Sequence, residues 1–359
     1  MTDRLLERVR PDVRNIGMYR VATPPHRIKL NQNESPIELP QAVKDDVLDR
    51  LRSIPWARYP QQQSTALPDA LRASLALPGR VEVLTGNGSN ELIQALLTAI
   101  LEPGAPIAIP VPTFSLYRQF AAILGGQIVE VPHEADLTLD ADRLADAAVE
   151  ADARAIVLAR PNNPTGTSVP IDGIVRILTR TDALVVVDEA YVEFAADSVV
   201  DLLASHERLV VLRTFSKALR GAGLRIGYMM AAVELVEQVR KVVPPFNTSV
   251  FARETALAIL ARRDLLRPGI EEAIAERDAL VAALDAVPGI APTPSEANFV
   301  CFRTDLPPRV LFDRLLRRGI LVRDVSGSPR LGDCLRVSVG TPSENRAFVA
   351  AMREIMEER

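Results

Sequence analysis

The sequence predicts an α/β fold, with a large domain on a mostly parallel central sheet flanked by helices and a smaller C-terminal α/β domain. Three observations predict it. From Val81 onward, short apolar runs alternate with helical stretches, the pattern of parallel strands joined by helical crossovers. Polar residues recur just past successive apolar runs, at Asn163, Asp188 and Lys217, the edge where such sheets bind ligands. After Ala232 the alternation changes character, and Pro244-Pro245 marks a boundary. The expected division is an arm over 1–29, a large domain over 30–245 and a small domain over 246–359.

The chain's 359 residues are 48% hydrophobic and 25% charged, enough for more than one core. A net charge of −4 argues against a nucleic-acid surface. No apolar run is long enough to span a bilayer, and the charged start MTDRLLERVRPDVRN lacks the character of a signal peptide. The cytoplasm is the expected compartment. Cys301 and Cys334 lie in strand-like runs and read as small buried residues rather than a disulfide. His26, His133 and His206 are scattered, with no metal-ligand spacing, so no metal site is expected.

In chain order, the segment through Lys29 is rich in Arg and Pro and weakly periodic. Leu30-Asn31-Gln32-Asn33-Glu34-Ser35-Pro36 is a polar turn. Val43, Val47 and Leu51 give Gln41–Ser53 a helical period, and Arg58-Tyr59-Pro60 is extended by its proline. Val81–Leu84 reads as a strand entering Thr85-Gly86-Asn87-Gly88-Ser89-Asn90-Glu91 and an apolar helix through Leu101, with Ser89 the expected N-cap. Unpaired N–H groups behind two glycines make that helix start an anion cradle, although a plain capped turn looks the same. Further strands are expected at Ala105–Ile109, Ile128–Val131, Ala155–Leu158 and Ala183–Val187, the last running into Asp188-Glu189-Ala190-Tyr191.

Leu209–Leu212 leads into Thr214-Phe215-Ser216-Lys217-Ala218-Leu219-Arg220-Gly221-Ala222-Gly223-Leu224-Arg225. A lysine on a turn past a strand end, facing a cavity, loses hydration and becomes a candidate nucleophile. Thr214, Ser216 and Arg225 add two hydroxyls and a cation suited to a phosphate. Past the boundary, helices are expected over Ser249–Arg262 and Ile270–Ala286, strands at Asn298–Phe302, Gly319–Arg323 and Cys334–Val339, a loop over Ser326–Gly332 and a closing helix from Glu344. Arg323 and Arg336 sit in or at the end of apolar strands, where an unpaired cation is costly; structural ion pairs would explain them equally well from position alone.

In order, Asn163-Pro164-Thr165-Gly166, Asp188-Glu189-Ala190-Tyr191, Ser216-Lys217 and Arg225 resemble the motifs of the fold-type I pyridoxal-phosphate aminotransferases. The turn at Leu30–Pro36, Arg58-Tyr59-Pro60, Gly86-Asn87-Gly88-Ser89-Asn90-Glu91, Arg213–Lys217 and Leu335-Arg336-Val337-Ser338-Val339-Gly340-Thr341 are similar to the branch of that family acting on histidinol phosphate. The likeness covers nearly the whole chain.

The resemblance implies pyridoxal 5'-phosphate as cofactor, bonded covalently to Lys217, which then serves as the base that moves the substrate proton. It implies that Asp188 pairs with the pyridine nitrogen, that Asn163 and Tyr191 bond the ring's phenolic oxygen, and that Phe114 stacks on the ring. Thr214, Ser216, Arg225 and the helix start at Gly88-Ser89-Asn90 would take the cofactor phosphate. Tyr59 would reach the cofactor of a neighbouring subunit, making a homodimer part of the site. Arg336, with Arg323 and Tyr19, would hold the phosphate of histidinol phosphate, and Arg336 the carboxylate of glutamate or 2-oxoglutarate, in a ping-pong exchange. Neither nucleic acid nor membrane is an implied partner. The chain departs from the family pattern at Phe114, often tyrosine, at Asn90, commonly aspartate, and at Arg220, usually apolar. An aromatic amino-acid aminotransferase shares these motifs, and a non-catalytic regulator sensing the cofactor is the alternative of a different class.

Overall fold

Alternation along each central strand sends neighbouring side chains to opposite faces, and two cores result. The computed structural model describes residues 3–18, 21–61 and 64–358. After the short strand Ile28–Lys29 (β1), a seven-stranded sheet is formed by Val81–Gly86 (β2), Pro106–Val111 (β3), Gln127–Pro132 (β4), Ala155–Ala159 (β5), Leu184–Asp188 (β6), Leu209–Thr214 (β7) and Gly227–Ala232 (β8). Their spatial order is β2-β8-β7-β6-β5-β3-β4. Ile156, Leu158, Val185, Val187 and Val211 enter one core, and Val157, Val186, Val210 and Leu212 enter the other. Helices cover both faces, which is why β5 and β7 are buried at every residue.

The pairs β3–β4, β3–β5, β5–β6 and β6–β7 are parallel, so these strands deliver their carboxyl ends to one edge. Strand β8, which the periodicity did not single out, runs antiparallel to both β7 and β2. Only a 3-10 turn, Ala222–Leu224, lies between β7 and β8. Without a crossover helix the chain simply folds back. The helix expected to be capped by Ser89 is Ser89–Ile100, and its cap is Gly88 at φ 80°, with no side-chain capping bond. That φ favours glycine, so Ser89 becomes the first helical residue instead.

A second, four-stranded sheet contains Ile290–Pro292 (β9), Phe299–Thr304 (β10), Arg323–Asp324 (β12) and Cys334–Ser338 (β13), in the order β12-β13-β10-β9. The single strand expected over Gly319–Arg323 is divided: Ile320–Leu321 (β11) leaves this sheet to pair in parallel with β1. Just past the end of the expected arm, Leu30 packs in one core with Leu335 and Val337. Conversely, Val250–Ala261 sends Ala252, Ala256 and Ile259 into a core of the large unit, beside Val43 and Val47 of Gln41–Ser53. We propose that the units divide along these cores, with Ile28–Leu30 in the small one and Val250–Ala261 in the large one. The closing helix is Pro342–Glu357, its start held by a reciprocal capping pair of Thr341 and Glu344. Cys301 and Cys334 are buried and free. No helix among the described residues is long and apolar enough to cross a membrane.

Candidate active site

The parallel strand ends open onto a cleft of about 420 Å³ between the large sheet and the small unit. Strand β6 ends in Asp188 and β7 in Thr214, while Asn163 and Lys217 lie in the loops that follow β5 and β7. All four line the cleft with Ser89, Asn90, Phe114, Tyr191, Ser216, Arg225, Arg323 and Arg336. Of the remaining expected residues, Gly88 caps the helix that carries Ser89 and Asn90. Tyr59 is 81% exposed, stacked on Phe246 at 4.7 Å, and does not line the cleft. Tyr19 lies outside the described residues.

Alternation explains how neighbours in one motif do different work. Asp188 faces the cleft. Glu189 is turned inward, where it accepts hydrogen bonds from Arg213 Nε (3.0 Å), Ser198 Oγ (2.9 Å) and the Val199 N–H (2.8 Å). This buried pair joins the ends of β6 and β7, with both charges satisfied as burial requires. Asp188 itself is buried. Tyr117 donates to its Oδ2 at 2.6 Å and the Ala190 N–H to its Oδ1 at 3.1 Å. Desolvation nevertheless raises the carboxyl to about 6, against the lowering effect of those two donors.

Lys217 Nζ donates to the Gln32 carbonyl at 2.9 Å. Burial, with the nearby Arg336 and Arg225, depresses its amine to about 8, while Glu34 opposes them. An amine poised this way is neutral often enough to take a proton or attack a carbonyl.

One end of the cleft is built for an anion. Thr214 Oγ1 donates to Ser216 Oγ at 3.0 Å, and Arg225, at φ 55°, turns its Nη1 to within 3.3 Å of the same oxygen. A Cβ on Gly88 would come within 2.5 Å of Arg225 Nη2. A Cβ on Gly227 would overlap the Ser89 nitrogen. The two glycines therefore let the helix start, a β8 residue and the guanidinium converge on one point. Hydroxyls, a cation and helix N–H groups make a phosphate cradle, and Lys217 and Asp188 lie in the same cleft. The donor set fits a phosphate-bearing ring cofactor.

The other end carries the two arginines. Arg323 and Arg336 are direct partners across the antiparallel β12–β13 pair. Arg336 is buried over the Phe299 ring (5.1 Å), donating to Asn163 Oδ1 and to the Asn31 carbonyl (2.9 Å). Arg323 is half-buried and lines the cleft, and its side chain makes no ion pair or hydrogen bond among the described residues.

Sequence reasoning missed two residues. Tyr117 lies three positions beyond Phe114 on Ser115–Ile123, within its reach edge-on (5.5 Å); the i, i+3 spacing was the available signal. Asn33 donates to the Tyr191 hydroxyl at 3.0 Å, accepts from Ser338 Oγ at 3.1 Å and takes the Asn298 amide on its carbonyl at 3.0 Å. Asn33 makes these bonds from a left-handed backbone, φ 55°. Arg220, unexplained by sequence, donates to the Glu38 carbonyl at 2.9 Å and lies over Gly269. It ties the loop after Lys217 to neighbouring chain outside the catalytic cleft. No cluster of metal-binding side chains occurs among the described residues.

Comparison with known proteins agrees with this geometry. A family model described as aminotransferase class I and II matches residues 25–352. A histidinol-phosphate aminotransferase of Chlorobium chlorochromatii is 40% identical over 350 residues, covering 97% of this chain and 96% of that protein. One from Chromobacterium violaceum is 40% identical over 347 residues, covering 96% and 97%. Among solved structures, a histidinol-phosphate aminotransferase of Sinorhizobium meliloti in complex with pyridoxal-5'-phosphate superimposes with a TM-score of 0.88 at 25% identity, covering 98% of both chains.

The depressed amine makes a prediction about stability. Lys217 titrates near 8 when folded against 10.5 ordinarily, so between those values the unfolded chain binds more protons and folding gains stability as pH rises. Cofactor-free Lys217→Met is expected to exceed wild type at neutral pH by on the order of 2 kcal/mol, a figure held down by the amine's access to water. The gap should close as pH climbs through that window. Urea midpoints across it provide the check, and a gap that is absent or widens contradicts the burial argument.

Proposed function

We propose that this chain, which belongs to aminotransferase class I and II, is a histidinol-phosphate transaminase of histidine biosynthesis. It would exchange an amino group between L-histidinol phosphate and 2-oxoglutarate, giving imidazole-acetol phosphate and glutamate, in a ping-pong cycle with pyridoxal 5'-phosphate. Full-length relatives at 40% identity carry that name. The observation that carries the substrate assignment is the pair Arg323 and Arg336, in register across two strands and facing one cleft with Lys217.

When bound, the cofactor supplies the carbonyl that receives the amino group and a ring that accepts the electron pair left on the substrate carbon. Thr214, Ser216, Arg225 and the helix start at Gly88-Ser89-Asn90 hold its phosphate. Phe114 would cover one face of the ring, and Asn163 and Tyr191 would bond its phenolic oxygen. Asp188 keeps a proton on the ring nitrogen. Lys217 Nζ, near neutrality in its titration, takes the proton from the substrate carbon and returns it on the other side of the exchange. Arg336 orients the substrate anion in both half-reactions.

Phosphate has nearly two charges and three acceptor oxygens, and a carboxylate has one charge and two. Arg336 suffices for the second, whereas the first leaves acceptors for Arg323. Loss of a hydrogen bond to a charged group costs about 1.5–3 kcal/mol, so Arg323→Ala is expected to lower kcat/KM for histidinol phosphate by roughly 10- to 150-fold. The loss for phenylalanine should be much smaller. Equal losses would remove the support for a phosphorylated substrate.

The same proposal includes a homodimer and a cytoplasmic location. Tyr59 with Phe246 and Trp56 with Phe251 form two exposed aromatic pairs, which suit a second copy, and Tyr59 of the partner subunit would complete the phosphate cradle. Mixing Lys217→Ala with Tyr59→Phe subunits should yield heterodimers with one intact site and restored turnover. Proven subunit exchange without restored turnover would place Tyr59 in the site of its own chain or in no site at all.

A further inference from the structure

We propose that Tyr117 is a positioning residue for the reaction, its hydroxyl holding the ionised Asp188 carboxylate in place toward the ring nitrogen; this rests on the reading of Asp188 given above. Tyr117 stands on Ser115–Ile123, on the side of the cleft where Phe114 begins the helix. It is 1% exposed in a core of Leu92, Ile109, Ala121 and Ala159. A phenol in such a place needs a partner, and its partner is Asp188 Oδ2 at 2.6 Å, a charge-assisted length.

The arrangement divides the carboxylate between two fixed donors. Oδ2 has Tyr117 and Oδ1 the Ala190 N–H, so its rotation is blocked while lone pairs remain for a third donor. The other charged and titratable groups around it are Glu189, Lys217 and Tyr191. Glu189 is engaged by Arg213. Lys217 favours the carboxylate, and Glu189 disfavours it. Tyr117 keeps its proton, because burial and the adjacent carboxylate push the phenol well above its ordinary range. Toward the carboxylate it therefore acts as the donor. Removing that donor leaves a buried carboxylate oxygen short of a partner, which favours the neutral acid and weakens its hold on a ring proton.

The test compares wild type, Tyr117→Phe and a chain with 3-fluorotyrosine at 117, a stronger donor of nearly the same shape. Carbon-13 NMR of aspartate-labelled, cofactor-free protein follows the Asp188 carboxyl, identified through its loss in Asp188→Asn. The acid limb of kcat/KM follows it in the loaded enzyme. The expected result is a midpoint about one pH unit or more higher in Tyr117→Phe, in both measurements. The fluorinated chain should shift it the opposite way. A purely structural tyrosine would move thermal unfolding but not these midpoints. Unmoved midpoints in both variants overturn the proposal whatever happens to turnover. Near-normal turnover in Asp188→Asn overturns the underlying reading, and the two failures are thereby told apart.

Discussion

A carboxylate is buried at the end of β6, and much of the surrounding structure bears on its charge. Asp188 is held there by the ladder to β5 and β7. Desolvation alone favours its neutral form. Tyr117 and the Ala190 N–H oppose this from two directions, and Lys217 adds a cation. Lys217 is in turn pushed toward neutrality by burial and then by Arg336 and Arg225. Acid and amine therefore both titrate nearer to neutral pH than their free counterparts, from opposite sides. Of the two, the amine is the one brought to where it can take up and release a proton near neutral pH.

The parallel sheet makes this arrangement possible by ending several strands at one edge. The antiparallel return of β8 adds what parallel strands alone would not, since Gly227 brings β8 beneath the Ser89–Ile100 helix start. The small unit contributes the arginines on β12 and β13. Asn33 joins the two halves, bonded to Tyr191 of the large unit and to Ser338 and Asn298 of the small one.

Much of this was legible in the sequence because strand periodicity and ordered motifs are local signals. The strand–helix alternation placed β2 to β7, and the polar residues past each run marked Asn163, Asp188 and Lys217 before any contact was known. What stayed hidden depends on pairing at a distance. A strand's direction is not written in its own residues, so β8 went unremarked, and the partition of Gly319–Arg323 between β1 and β13 needs both partners in view. Ser89 has the right chemistry for a cap, but the φ of Gly88 moved the cap one residue earlier. Tyr117 reads as an ordinary core aromatic until the carboxylate of Asp188, 71 positions away, is brought against it. Arg220 looked anomalous in its motif because its partner, the Glu38 carbonyl, belongs to a different stretch of chain.

The central claim is that one amine, Lys217 Nζ, carries the covalent chemistry of the cleft. The most direct measurement is borohydride reduction of the cofactor-loaded protein, followed by peptide mapping of the modified residue. The account predicts a single stable adduct on the peptide containing Lys217 and none in Lys217→Ala. An adduct on another lysine of the wild-type protein, or full loading with no reducible bond, would contradict it.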